Sequence, residues 1–134
     1  MPLEFHNAIM GRKHVVLGST DDRASVTTVP TLLHGVQAFN VSSGVLFYVH
    51  IFDSSALVST AGGAAIKTLL VPAAVNPSTV AVGSGFVYAP HGPITLNNGF
   101  AYAIGGNLNS TAAFSTVAAN LGVCNFDYEP IRST

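Results

Sequence analysis

Over much of this chain apolar and polar residues alternate with a period of two, the spacing of strands. The first clear pair of runs covers 32–40 and 45–53, separated only by Val41-Ser42-Ser43-Gly44. Two β-rich runs around a short Ser/Gly link predict a hairpin. In the second run Val45, Phe47, Val49 and Ile51 share one face and Leu46, Tyr48, His50 and Phe52 the other. Both faces are largely apolar. That predicts a central strand covered by the core on one side and by a subunit contact on the other.

Later runs fall at 65–71, 79–82, 86–89, Ile94–Leu96, Phe100–Gly105 and 121–129, most of them bounded by Ser, Gly, Pro or Asn clusters. In the last, Cys124, Phe126 and Tyr128 alternate with Val123, Asn125 and Asp127, giving an apolar face and a mixed one. Segment 110–121 is the one candidate for a short helix, its alanines interrupted by Phe114, Ser115, Thr116 and Val117. Many short strands between turn signals predict an all-β fold, a single β-sandwich or jelly-roll-like domain.

Composition adds a surface argument. The 134 residues fit one domain, with 49 % hydrophobic and only 8 % charged residues, against roughly 25 % charged in an average domain. So neutral a surface is poorly protected from self-association, so neighbouring subunits are expected to cover part of it. The charges are unevenly spread: Glu4, Arg12, Lys13, Asp21, Asp22 and Arg23 crowd the first 24 residues. This predicts an N-terminal arm and lead-in strand over 1–24 and the sandwich over 25–134.

Several classes of function are disfavoured. The formal net charge is −1 and only Arg12-Lys13 adjoin, so no basic stripe for nucleic acid can be assembled. Pro72, Pro77, Pro90 and Pro93 interrupt the long uncharged stretch after Lys67 before it could cross a membrane as a helix. No signal peptide is expected, because no basic region precedes an apolar run at the start. Cys124 is the only cysteine and is expected to be a buried, inert thiol in a reducing compartment.

The search for chemistry finds little convergence. Asp21 and Asp22 belong to the arm, Asp53 is placed to cap a turn, and Asp127 and Glu129 are expected to meet solvent at the end of the last strand. His34 and His50 would be cross-strand neighbours if the hairpin forms, but a zinc site needs three or four ligands and no third is evident. His91 reads as a loop tip, and His6 and His14 as arm residues. Gly83-Ser84-Gly85 lacks the following helix of a phosphate loop. Asn40-Val41-Ser42 and Asn109-Ser110-Thr111 match glycosylation acceptors by chance. No catalytic residue, metal or cofactor is expected.

From Leu32 to Tyr128 the order of segments resembles a family of small β-sandwich proteins of tailed bacteriophages. The matching pieces are a strand ending in Phe39-Asn40, a Ser-rich turn, and a strand ending in Phe52-Asp53. They continue with Lys67-Thr68-Leu69-Leu70-Val71-Pro72 and with Leu96-Asn97-Asn98-Gly99-Phe100-Ala101-Tyr102-Ala103-Ile104, then a Thr/Ala-rich link to the closing strand. The resemblance implies a non-enzymatic virion protein, made in the host cytoplasm. Its implied role is a capsid cement (decoration) protein, a homotrimer that binds the major capsid protein on the capsid exterior and stabilises the shell. A small tail or fibre component, or a host-glycan-binding module, is the alternative. The residues expected to contact partners are Phe5, His6, Arg12 and Lys13 in the arm, with Tyr48 and His50 on the 45–53 strand.

Overall fold

In the computed structural model the chain is described over residues 10–18, 22–41, 45–58, 65–73, 84–88 (backbone), 92–106 and 122–131. Among the described residues there are nine strands: β1 (Gly11–Val16), β2 (Arg23–Thr27), β3 (Thr31–Asn40), β4 (Phe47–Asp53), β5 (Lys67–Val71), β6 (Ser84–Tyr88), β7 (Ile94–Leu96), β8 (Phe100–Gly105) and β9 (Gly122–Pro130). Strands β7 and β8 have the bounds expected from sequence. The strand expected at 79–82 and the one helix candidate, 110–121, lie outside the described residues, as do Phe5, His6, Asp21 and His91.

The strands form two sheets, ordered β1-β9-β3-β6 and β2-β8-β4-β5, with β7 also paired to β3. Every pairing is antiparallel. Strand β7 pairs with Thr31–Leu33 and β6 with Val36–Asn40, so the two act as one interrupted strand along the same side of β3. Counted that way, the pairs nest in reverse order: β1 with β9, β2 with β8, β3 with β6 and β7, β4 with β5. This is a long antiparallel ribbon rolled into two sheets, closed by β9 against β3 and β8 against β4. The fold is an all-β sandwich with jelly-roll strand order.

Two expectations need correction. Strands β3 and β4 are not a hairpin; they lie in different sheets, and the link 41–46 crosses between them. The reason is that both edges of β3 are already occupied, by β9 on one side and by β6 and β7 on the other. Asn40 secures the crossing: buried, it donates from Nδ2 to the carbonyls of Val45 (2.8 Å) and Pro72 (3.1 Å). That role, rather than glycosylation, accounts for its position. Second, the boundary expected after residue 24 falls inside β2, and residues 11–16 are a strand of the sandwich. The charged residues there belong to edge strands.

The core lies between the sheets, where Leu33, Val36, Phe47, Val49, Ile51, Leu96, Phe100, Tyr102, Ile104, Cys124 and Phe126 are buried. Each large apolar side chain buried there contributes about 1.5–3 kcal/mol. Phe126 is central, edge-on to Phe100 at 5.3 Å and stacked on Tyr102 at 4.6 Å. At one end Asp53 accepts from the Asn98 backbone N–H (2.7 Å) and so caps the 97–99 turn. Gly99 there has φ +144°, and an added Cβ would fall 2.5 Å from the Thr27 carbonyl oxygen; only glycine fits.

Candidate interaction surface

Among the described residues the charged side chains are dispersed over the sandwich, and most are engaged locally. Arg12 on β1 meets Asp127 on β9 through Nε to Oδ1 (2.7 Å) and Nη2 to Oδ2 (3.3 Å). Hydrogen bonding to that carboxylate, then its charge, pushes the Arg12 guanidinium above its ordinary value, against a smaller desolvation effect. Asp22 accepts from the Gly18 N–H, and Arg23 donates to the Val58 carbonyl (3.0 Å). His34 sits at a register shift between β3 and β9, with Nε2 3.8 Å from Glu129 Oε1. His50 lies in the other sheet, so the expected cross-strand histidine pair does not form. Among the described residues no three His, Cys, Asp or Glu side chains gather at metal-binding distance.

On the outer face of the first sheet, the register lines residues up in rows across β1, β9 and β3. One row is Val16, Val123 and Phe39; the next is His14, Asn125 and Gln37; a third is Arg12, Asp127 and Gly35. His14 Nδ1 lies 2.6 Å from Asn125 Oδ1, which fixes both side chains. Val16 and Phe39 are both 43 % exposed, so an apolar row lies open beside a polar one. Sequence alone did not single out Val16, Phe39 or Val123, because only the pairing register brings the three together.

The second sheet is covered differently. Its outer face carries Tyr48, His50 and Phe52 on β4 beside Gly105, Ala103 and Ala101 on β8. The chain itself folds back over part of this face. Val58 and Ala65 pack on Phe52, Ala101 and Ala103, while Ser25 Oγ donates to the Ser55 carbonyl (3.2 Å) and Arg23 holds Val58. The subunit contact expected on this side of β4 is thus partly replaced by the protein's own β4–β5 connection. His50 is fully buried, with Nδ1 2.9 Å from Thr68 Oγ1, and is not available to a partner. Tyr48 is half-buried, stacked on His50 at 6.4 Å. Of the six expected contact residues, Arg12 is exposed but already paired, and Lys13 is half-buried on the core-facing side of β1.

Towards the end where β3 passes to β4 lie six of the eleven large apolar side chains exposed by 40 % or more among the described residues: Val16 and Phe39 on the outer face of the first sheet, Leu70 on that of the second, and Val41, Val45 and Leu46 on the link between the sheets. The links 17–22, 41–46, 72–83 and 106–121 all begin and finish at this end, and their only charged residues are Asp21 and Asp22. Isolated exposed apolar residues are ordinary, whereas a grouping of them marks an interaction surface. No family model matches the chain, and no curated protein matches it in sequence.

Proposed function

We propose that this chain is a non-enzymatic structural protein of a virus particle, a capsid cement (decoration) protein that binds the major capsid protein from outside and stabilises the shell as a homotrimer. The observation that carries this is the exposed apolar end of the sandwich, Phe39, Val41, Val45 and Leu46 with Val16 and Leu70. Left in water, such a grouping promotes association, and few charges oppose it. Arg12, Asp22, Arg23, Asp53 and Asp127 are engaged with each other or with backbone, and among the described residues the charged side chains do not converge on a common point, as a general acid and base must. Jelly rolls serve in viral capsids, lectins and cupins alike, so the strand order supports the proposal by analogy alone. Repeated weak contacts around a shell would supply the affinity through multivalency.

The test is to image the intact particle and to add the purified protein to shells stripped of it. Density on the capsid exterior, with rebinding that raises the temperature at which shells rupture, is the expected result. Density confined to the tail or fibres, or no association with particles, overturns the proposal.

A further inference from the structure

A strand at the end of a sheet exposes a row of N–H and C=O groups that can pair with another chain. Among the described residues β1 and β5 are regular edge strands, at opposite ends of the two strand orders. Both lysines of the chain sit on them: Lys13 on β1 and Lys67 on β5. Their register is the informative feature. Lys13 is opposite Phe126 and Lys67 opposite Ile51, and both partners are fully buried core residues. Each lysine therefore occupies a core-facing position, in series with Val15 on β1 and with Leu69 and Val71 on β5.

We infer that Lys13 and Lys67 keep β1 and β5 from pairing with the corresponding strands of a second copy of this chain. At the margin of the sandwich a lysine reaches water along its apolar stem. A strand from another copy added at that margin would extend the sheet past it and enclose the ammonium between layers, where a charge is costly. An inward-pointing charge on an edge strand is a known way to block such pairing. The other edges are interrupted by different means. Strand β2 carries a register shift between Ser25 and Thr27. The β6–β7 edge breaks between Tyr88 and Ile94, with Pro93, which has no N–H to donate, just before β7. No strand of the two sheet interiors (β3, β4, β8 and β9) carries a Lys or Arg. The inference does not depend on what the protein binds; it concerns how copies avoid each other.

The test compares wild type with the double variants Lys13→Val/Lys67→Val and Lys13→Glu/Lys67→Glu, using light scattering after size exclusion and thioflavin T fluorescence over a concentration series. The valine variant moves the formal net charge from −1 to −3, so colloidal repulsion rises and cannot explain new association. The expected result is a shift of the valine variant to larger, thioflavin-positive species. The glutamate variant, which keeps a charge at each edge, stays at the wild-type size. If the double valine variant lacks a cooperative melt, Lys67→Val alone decides, because that side chain is exposed. A folded valine variant with wild-type size at every concentration overturns the inference, as does equal assembly of the glutamate variant.

Discussion

Arg12 and Asp127 face each other directly across β1 and β9 and close a two-point ion pair, with Nε 2.7 Å from Oδ1. The Arg12 side chain is 58 % exposed, so solvent and salt screen the attraction. Because the Asp127 hydrogen bond and charge raise the guanidinium above its ordinary value, Arg12 stays charged through neutral and mildly alkaline pH, and the pair is not weakened by its deprotonation there. Arg12→Gln and Asp127→Asn are therefore expected to lower the melting temperature slightly. The coupling in a double-mutant cycle should shrink with added salt and stay flat in pH from about 6 to 10. A coupling that is insensitive to salt would contradict this account.

Cys124 offers a sharper pH test. Its thiol is buried in the core, and desolvation pushes it well above its ordinary value of 9.0. A thiol kept neutral in the fold and free to ionise when unfolded destabilises the fold as pH rises: the unfolded chain loses a proton that the native chain retains. Stability should be level below about pH 8.5 on this account and then fall by about 1.4 kcal/mol per pH unit. Cys124→Ala should remove that slope in urea unfolding between pH 8 and 10. Native protein should also resist thiol-specific labelling until it unfolds; prompt labelling at neutral pH would show the site to be open.

What the sequence made legible follows from where its signals are local. The alternation of Cys124, Phe126 and Tyr128 marked the core face of β9, and the turn residues around Ile94–Leu96 and Phe100–Gly105 fixed the bounds of β7 and β8. Pairing partners were not legible. A Ser/Gly link of this length serves either a turn within one sheet or a crossing between two, and the two-residue period of β3 and β4 is the same in both. The charged segment around Arg12, Lys13 and Arg23 resembled an arm because β1 and β2 are edge strands and carry basic side chains that the interior strands lack. Likewise His50 looked available on an alternating face, but the β4–β5 connection folds back beside it.

Gly122 starts β9, with the backbone of β3 close beside it. An added Cβ would fall on the carbonyl oxygen of Phe39, and the Gly122 carbonyl accepts from the Leu17 N–H (3.0 Å). Backbone cannot move aside as a side-chain tip can. Gly122→Ala is expected to destabilise by about 1–3 kcal/mol, the usual cost of overpacking. Gly92, whose Cβ would meet nothing within 4 Å, is the control, with Gly92→Ala near neutral. Equal melting temperatures for the two variants would refute the clash.

Asn40 connects the fold to the proposed surface. Its amide bridges the Val45 and Pro72 carbonyls and so sets the path of the link that carries Val41, Val45 and Leu46. Asn40→Ala removes both hydrogen bonds, at about 0.5–1.5 kcal/mol each, and should cost about 1–3 kcal/mol. Asn40→Asp is closer in shape but aims a carboxylate at two carbonyl oxygens, so near neutral pH it should cost more than alanine. The introduced carboxyl is favoured in its neutral, donating form, which raises its value in the fold above the unfolded value of about 3.9. The lost stability should accordingly return as pH falls through the raised value, the opposite of the acid sensitivity of a paired carboxylate. Urea unfolding of both variants at about pH 4 and 7 measures this. Both folded variants should also occupy shells less fully than wild type, because the apolar end is no longer held in one shape. Full occupancy by Asn40→Ala would separate the clamp from binding, and an Asn40→Asp variant with no pH dependence would show that the amide does not make these bonds.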